Sequence, residues 1–374
     1  MTTTDVREEI RTEQKSALGK LVREPAIVGG IGIGGLLILS VLHRLGIDII
    51  TPVGIGMMAV LAYSNGANDI SKTIATLVGS GMTKYRSAMV YGSLCTGAGA
   101  GTATVLAAGL VSTFTKGLIA PSAHLTGQFA LAALLGAIIW VYLATRLALP
   151  VSTTHAITGA VVTTGVIAFG VDQVLWANLG MKIVAPLVLS PFIAFVVGLL
   201  LFWGIRLALP QVNLNWVHWL SSGFASFTRG LNDAPKIVAL GAAFFLIGGK
   251  LRATPPWLFF VVALAMALGS VLAGLKVTQT LAERVTKMDH QEGFAANLAT
   301  AILVGLSSLL SFPVSTTHVS GCAIIGIGVR KGVKNVQWQM VWEIVLAWIV
   351  TLPGAGVLGF LAYVLLSFSF RHVF

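Results

Sequence analysis

The stretch Leu149-Pro-Val-Ser-Thr-Thr-His155 returns in the second half of the chain as Phe312-Pro-Val-Ser-Thr-Thr-His318. Ser152 and Ser315 lie 163 residues apart, Asp69 and Asp233 164, Pro191 and Pro353 162. One near-constant offset carried by three markers describes a chain built from two copies of one unit. Whatever fold it adopts must solve the same packing problem twice.

The solvent of that fold follows from hydropathy. Apolar segments run roughly over 26–45, 51–80, 87–111, 129–149, 151–170, 182–205, 219–247, 256–275, 294–311, 314–329 and 340–369. Mean hydropathy is +0.89 and charged residues are 10% of the chain, against about 25% in soluble proteins. The expectation is an all-α polytopic membrane protein with about 11–12 membrane segments, the last long enough for one tilted helix or two broken ones. The 42 glycines and 12 prolines suit close helix packing and broken or re-entrant helices.

Each half holds five apolar segments, 51–205 and 219–369. Five is odd, so the second half enters the membrane from the opposite face, and the repeat is inverted. The expected organisation is a cytoplasmic tail (1–25), an extra transmembrane helix outside the repeat (26–50), a first repeat (51–205), a connecting loop (206–218) and a second repeat (219–374). Residues 1–25 have no apolar core and are not read as a signal peptide. With the N-terminus inside, fifteen Lys and Arg face the cytoplasm, among them Lys84, Arg86, Arg330 and Lys331, against six outside, such as Arg44 and Lys250. That bias supports a multi-pass protein of the plasma or inner membrane with a cytoplasmic N-terminus. The net charge of +11 sits in loops and does not indicate nucleic acid. Cys95 and Cys322 form no disulfide framework or metal spacing.

Inside the apolar segment 51–80 lies Tyr63-Ser-Asn-Gly-Ala-Asn-Asp-Ile-Ser-Lys-Thr73, and its counterpart is Arg229-Gly-Leu-Asn-Asp-Ala-Pro-Lys236. Asn68-Asp69 matches Asn232-Asp233, and Lys72 matches Lys236. A charge at membrane depth costs about 2.5–3.5 kcal/mol on insertion scales, so Asp69 and Asp233 need partners and mark a substrate or ion path. Lys72 and Lys236, each three residues on, can pair with them on one helix face. The bland reading is a structural ion pair locking two broken helices, but the amides and hydroxyls of Asn65, Asn68, Ser71 and Asn232 exceed what a lock needs. Together with the carboxylates they are hard oxygen ligands suited to Na⁺, and a carboxylate can instead carry H⁺. Asn65, Asp69, Asn232 and Asp233 are the candidate coupling-ion ligands, with Na⁺ possible at Asp69 and Asp233.

Pro-Val-Ser-Thr-Thr-His reads as a helix start, capped by Ser152, Thr153 and Thr154 in one copy and Ser315, Thr316 and Thr317 in the other. Free N–H groups beside three hydroxyls suit an anion; the bland alternative is an ordinary interhelical loop. His155 and His318 either bond a nearby carbonyl to fix the bend, the favoured reading, or act as ligands or proton carriers. Gln128 and Gln291, 163 apart, line a pore or belong to loops, and Asn297 is an accessory polar residue.

Four motif copies in this order resemble the inorganic phosphate transporter (Pit) family: Gly66-Ala-Asn-Asp-Ile-Ser-Lys-Thr-Ile-Ala-Thr-Leu-Val-Gly-Ser-Gly81, Gly230-Leu-Asn-Asp, and the twin Pro-Val-Ser-Thr-Thr-His. The resemblance covers nearly the whole chain from residue 51. It implies an inverted-repeat symporter moving inorganic phosphate with Na⁺ or H⁺, with no other cofactor and often as a homodimer. It carries the substrate site onto Asn68, Asp69, Asn232, Asp233, Ser152, Thr153, Thr154, Ser315, Thr316 and Thr317. Two family glutamates are absent: their positions align with Thr96 and Asn297. Rival readings are a permease for another oxyanion such as sulfate, and a passive ion channel. The channel needs a continuous polar lining, whereas polar residues here cluster at two patches. No catalytic constellation is legible, and the chain is not read as an enzyme.

Overall fold

This is a computed structural model, and it describes residues 50–208, 215–247, 254–283, 288–330, 332, 334 and 336–373. The chain divides into units 1–53 and 54–374, and apart from the first four residues of the opening helix the second carries everything that follows. The expected tail, nearly all of the expected extra helix 26–50 and part of the 206–218 connection lie outside the described residues. The protein is all-α, and among the described residues no strand forms.

The helices form two series in the same order. The first is α1 (Ile50–Asp69), α2 (Ser71–Gly79), α3 (Tyr85–Leu106), α4 (Ala108–Lys116), α5 (Gly127–Arg146), α6 (Thr153–Phe169) and α7 (Ala185–Ala208). The second is α8 (Asn215–Ile247), α9 (Trp257–Ala273), α10 (Leu275–Glu283), α11 (His290–Leu309), α12 (Thr316–Arg330) and α13 (Trp338–Val373). Contacts follow the same exchange. α13 packs on α5 and α6 as α7 packs on α11 and α12, and α10 lies on α2 as α4 lies on α8.

Local chemistry sets the boundaries. Thr126 accepts the Phe129 N–H at 3.2 Å to open α5. Asp289 and Glu292 form a reciprocal capping box that opens α11. Proline at 150 and 313 ends the preceding run, and the next helix begins three residues on.

Three apolar segments differ from straight spans. Segment 51–80 breaks at Ile70. Segment 87–111 bends by 75° at Ala107 and continues to Lys116. Segment 256–275 bends by 69° at the α9–α10 junction and continues to Glu283. Residues 276–283, expected in a loop, are therefore helical. The reason is amphipathic burial: Val277, Thr278, Thr280 and Leu281 turn inward while the exposed side stays polar. Residues 340–369 form one helix despite Pro353. Among the described residues, four helices are long and apolar enough to cross a membrane, or up to six if each bent pair is one span. α8 is longer than most of these but carries Arg229, Asp233 and Lys236 in its middle.

Polarity is distributed inside out. Phe192, Leu200, Phe260 and Trp342 are each more than 60% exposed, whereas Asn65, Asn68, Lys72, Arg229 and Asn232 are 0% exposed. An apolar exterior around a polar centre is what a bilayer selects, since lipid cannot satisfy polar groups. Close backbone approach makes this possible. A side chain on Gly230 would strike the Thr96 carbonyl, and one on Gly99 the Phe227 carbonyl. α3 and α8 thus meet backbone to backbone.

Candidate substrate and ion site

Each repeat presents one polar face. Asn65, Asp69 and Lys72 follow an i, i+4, i+7 pattern across the α1–α2 break, and Arg229, Asp233 and Lys236 follow it along α8. In α1–α2 the helix is interrupted at Ile70. In α8 the position one residue further on is Pro235, which donates no N–H. Both copies thus loosen the backbone immediately after the aspartate, by different means.

The two aspartates meet through one amide. Asn65 Nδ2 lies 3.2 Å from Asp69 Oδ2, 3.3 Å from Asp233 Oδ2 and 3.0 Å from Thr153 Oγ1. Carboxylates 164 positions apart in sequence therefore share one donor group. Lys72 Nζ donates to Asp69 Oδ1, to Asn68 Oδ1 at 3.2 Å and to the Val151 carbonyl at 2.8 Å. Lys236 Nζ donates to Asp233 Oδ1 at 3.3 Å, to Thr154 Oγ1 at 2.7 Å and to the Val314 carbonyl at 2.9 Å. Val151 and Val314 are repeat-equivalent, so each lysine ties its aspartate to the proline-containing helix start of its own half.

The asparagines hold those starts. Asn68 donates to Thr145 Oγ1 and the Leu149 carbonyl and accepts from Val151 N–H at 3.0 Å. Asn232 donates to the Val314 carbonyl at 3.1 Å, to Thr316 Oγ1 at 3.3 Å and to Asp233 Oδ1 at 3.2 Å, and accepts from Ser308. Ser71 Oγ returns to the Asn68 carbonyl at 2.8 Å.

Of the six hydroxyls expected as caps, only Ser152 and Ser315 cap, accepting the N–H of His155 at 3.3 Å and of His318 at 3.2 Å. The threonines stand inside the first turn. Thr154 reaches across to the Val314 carbonyl at 3.2 Å, and Thr317 to the Val151 carbonyl at 2.7 Å. The two starts thus clasp each other, and His155 and His318 meet beside them with ring centroids 4.7 Å apart and planes tilted by 46°. His318 also meets the Trp348 ring at 4.1 Å, and the Trp348 indole N–H donates to the Pro150 carbonyl.

The remaining accessory residues lie elsewhere. Gln128 and Gln291 both stand at the second position of their helices, α5 and α11. Gln128 donates to the Tyr363 carbonyl and Ser367 Oγ on α13. Asn297 donates to Thr76 Oγ1, which also meets His218 Nε2 at 3.1 Å. Ser308, which touches Asn232, is eleven residues along α11 from Asn297, roughly 16 Å at helical rise. Asn297 thus reaches α2 at Thr76, four residues beyond Lys72, and not the Asn232 end of the cluster; the same helix α11 carries Glu292, which pairs with Arg330 at 2.7 Å.

Arg229 was not among the expected site residues. Its guanidinium is fully buried, and none of its three nitrogens has a hydrogen-bond partner among the described residues. It lies within the fields of both Asp69 and Asp233. The signal for it was present in the sequence: at the 164-residue offset, Arg229 is the counterpart of Asn65. The Asn65 Oδ1 atom is likewise buried and unpartnered. An unmet buried polar group costs about 1–3 kcal/mol, and more when charged, so both side chains offer groups that a guest can satisfy. Two carboxylates against three cations leave the cluster one positive charge in excess. Chemically it offers an amide oxygen and carboxylates to a hard cation and a guanidinium to an anion. Among the described residues no group of three or more His, Cys, Asp or Glu could hold a metal ion.

The model of the phosphate transporter family matches residues 65–214 and 205–359. A Bacillus subtilis protein named "Probable low-affinity inorganic phosphate transporter" is 32% identical over 82% of this chain and 94% of its own length. A Rhizobium meliloti protein of the same name is 30% identical over 83% of this chain and 96% of its own. A solved structure titled "The sodium-dependent phosphate transporter" shares the fold, with a TM-score of 0.78 and 22% identity over 86% of this chain and 100% of that one.

Proposed function

We propose, from the premise that this chain belongs to the phosphate transporter family, that it imports inorganic phosphate by cation symport, alternating access around the Asp69–Asp233 cluster. The single observation that carries this reading is Asn65 Nδ2 within reach of both aspartates, one from each repeat. A site shared between repeats is what lets one ligand set report to two moving halves.

Phosphate enters a cell that is negative inside at about 2.3 kcal/mol per charge per 100 mV. A dianion meets twice that, and co-transported cations cancel it. Asn65, Asp69, Asn232 and Asp233 hold the coupling cation, and the name of the structural neighbour supports Na⁺ over H⁺. The anion lies against the twin helix starts, where Ser152, Thr153, Thr154, Ser315, Thr316 and Thr317 exchange protein partners for phosphate oxygens. The Ile70 interruption and Pro235 are the points at which each half flexes. Opposed insertion of 51–205 and 219–374, with the N-terminus cytoplasmic, and pairing of two copies belong to the same reading.

The test is labelled phosphate uptake into proteoliposomes under an imposed Na⁺ or H⁺ gradient. Uptake driven by the Na⁺ gradient, and lost in Asp69→Asn and Asp233→Asn, is expected. Uptake indifferent to both gradients ends the symport reading.

A further inference from the structure

We propose that Arg229 is the principal direct ligand of the transported anion, a fixed guanidinium clamp contributed by the second repeat alone. The proposal rests on the transport reading above and deepens it by naming the side chain that grips the substrate.

Four observations converge. Arg229 is 0% exposed, and Nε, Nη1 and Nη2 all lack hydrogen-bond partners among the described residues. It shares the helix face of Asp233 and Lys236, so it is aimed at the central cluster and not at lipid. The acceptors that could have satisfied it are already engaged: Asp69 by Lys72 and Asn65, Asp233 by Lys236, Asn232 and Asn65. Finally, its charge is the one that no carboxylate in the cluster balances.

A buried guanidinium with its whole donor fork unmet is complementary to a compact oxyanion, because two parallel N–H···O bonds match the spacing of oxygens on one phosphorus. Binding would satisfy the donors and neutralise the excess charge together. A singly charged phosphate would leave the cluster neutral without further ions, and each added negative charge would call for one cation. Asn65, at the equivalent place in the first repeat, cannot do this. Its amide already bridges the aspartates, and its spare atom is an acceptor, suited to a cation. The two copies have thus divided anion and cation duties at one repeat position.

The experiment compares the full-length wild type with Arg229→Gln and Arg229→Lys, purified in detergent. Equilibrium binding of labelled inorganic phosphate and thermal unfolding with and without phosphate are both read. Arg229→Gln should bind phosphate roughly 10- to 100-fold more weakly, about 1.4–2.8 kcal/mol. Arg229→Lys should fall between, keeping the charge and losing the fork. Without phosphate, the Arg229→Gln protein should unfold at the wild-type temperature or above, since an unmet buried charge has been removed. Arg229→Gln affinity within twofold of wild type overturns the assignment alone. So does a phosphate-free unfolding temperature lowered by several degrees together with retained binding, which would make Arg229 a structural cation. A wild type that binds no phosphate overturns the transport reading and this assignment with it.

Discussion

The faces Asn65–Asp69–Lys72 and Arg229–Asp233–Lys236 are the same device built twice, and they differ at one position. In both, a lysine three residues after the aspartate ties the carboxylate to a proline-bounded helix start. Just beyond the aspartate the helix breaks at Ile70 in the first copy, whereas in the second it runs on through Pro235, which lacks an N–H to donate. At the first position one copy carries an amide saturated with neighbours on its nitrogen, and the other carries a guanidinium with none. Duplication supplies a symmetric frame, and one unlike pair within it is enough to give the frame a cation side and an anion side.

The most damaging way to break this comparison is to remove one aspartate. Asp233→Asn leaves Lys236 buried without its carboxylate, a loss of about 3–5 kcal/mol for a severed buried pair. Uptake should vanish and the unfolding temperature should fall. The double variant Asp233→Asn/Lys236→Met should recover most of the stability and none of the uptake, which separates folding from function in one thermal and one transport assay.

A subtler break makes the copies alike. Arg229→Asn places the same residue at both first positions. Apparent phosphate affinity in uptake should weaken roughly 10-fold or more, while dependence on the coupling cation persists. Loss of the cation dependence instead would mean that the guanidinium serves the cation site.

The threonines sharpen the comparison at about 1 kcal/mol per hydrogen bond. Thr154 both accepts from Lys236 and donates to Val314, whereas among the described residues the Thr317 hydroxyl makes one bond, to Val151. Thr154→Val should therefore lower the unfolding temperature more than Thr317→Val. Equal losses would show that the Lys236 contact adds nothing to the cross-clasp that both threonines make. Least affected should be Gln128→Leu, whose bonds go to α13 away from the cluster. Its phosphate KM should stay within about twofold, as expected for a substitution that severs only hydrogen bonds remote from the ligand.

Much of this was legible from residue order. The repeat offset located both aspartates, both lysines and both helix starts, because repeated motifs of identical residues align themselves. Arg229 escaped for the opposite reason: it is informative only where the copies differ, and a search for likeness passes over it. Asn297, an accessory polar residue in the sequence reading, bonds Thr76 near His218. That cluster draws on residues 76, 218 and 297, which share no repeat relation, so nothing in the order of residues announces it. The bends at Ala107 and Gly274 were hidden too. Hydrophobicity continues across the first, and the polar residues beyond the second suggested a loop until burial against α2 showed them to be one face of a helix.

The central claim is that the two repeats together build one site and not two. Its most direct test is the stoichiometry of labelled phosphate bound at saturation to the purified wild type, Asp69→Asn and Asp233→Asn. One phosphate per chain in the wild type, lost on changing either aspartate, is the predicted result. Two per chain, or binding halved by each substitution, would mean that each repeat holds its own substrate.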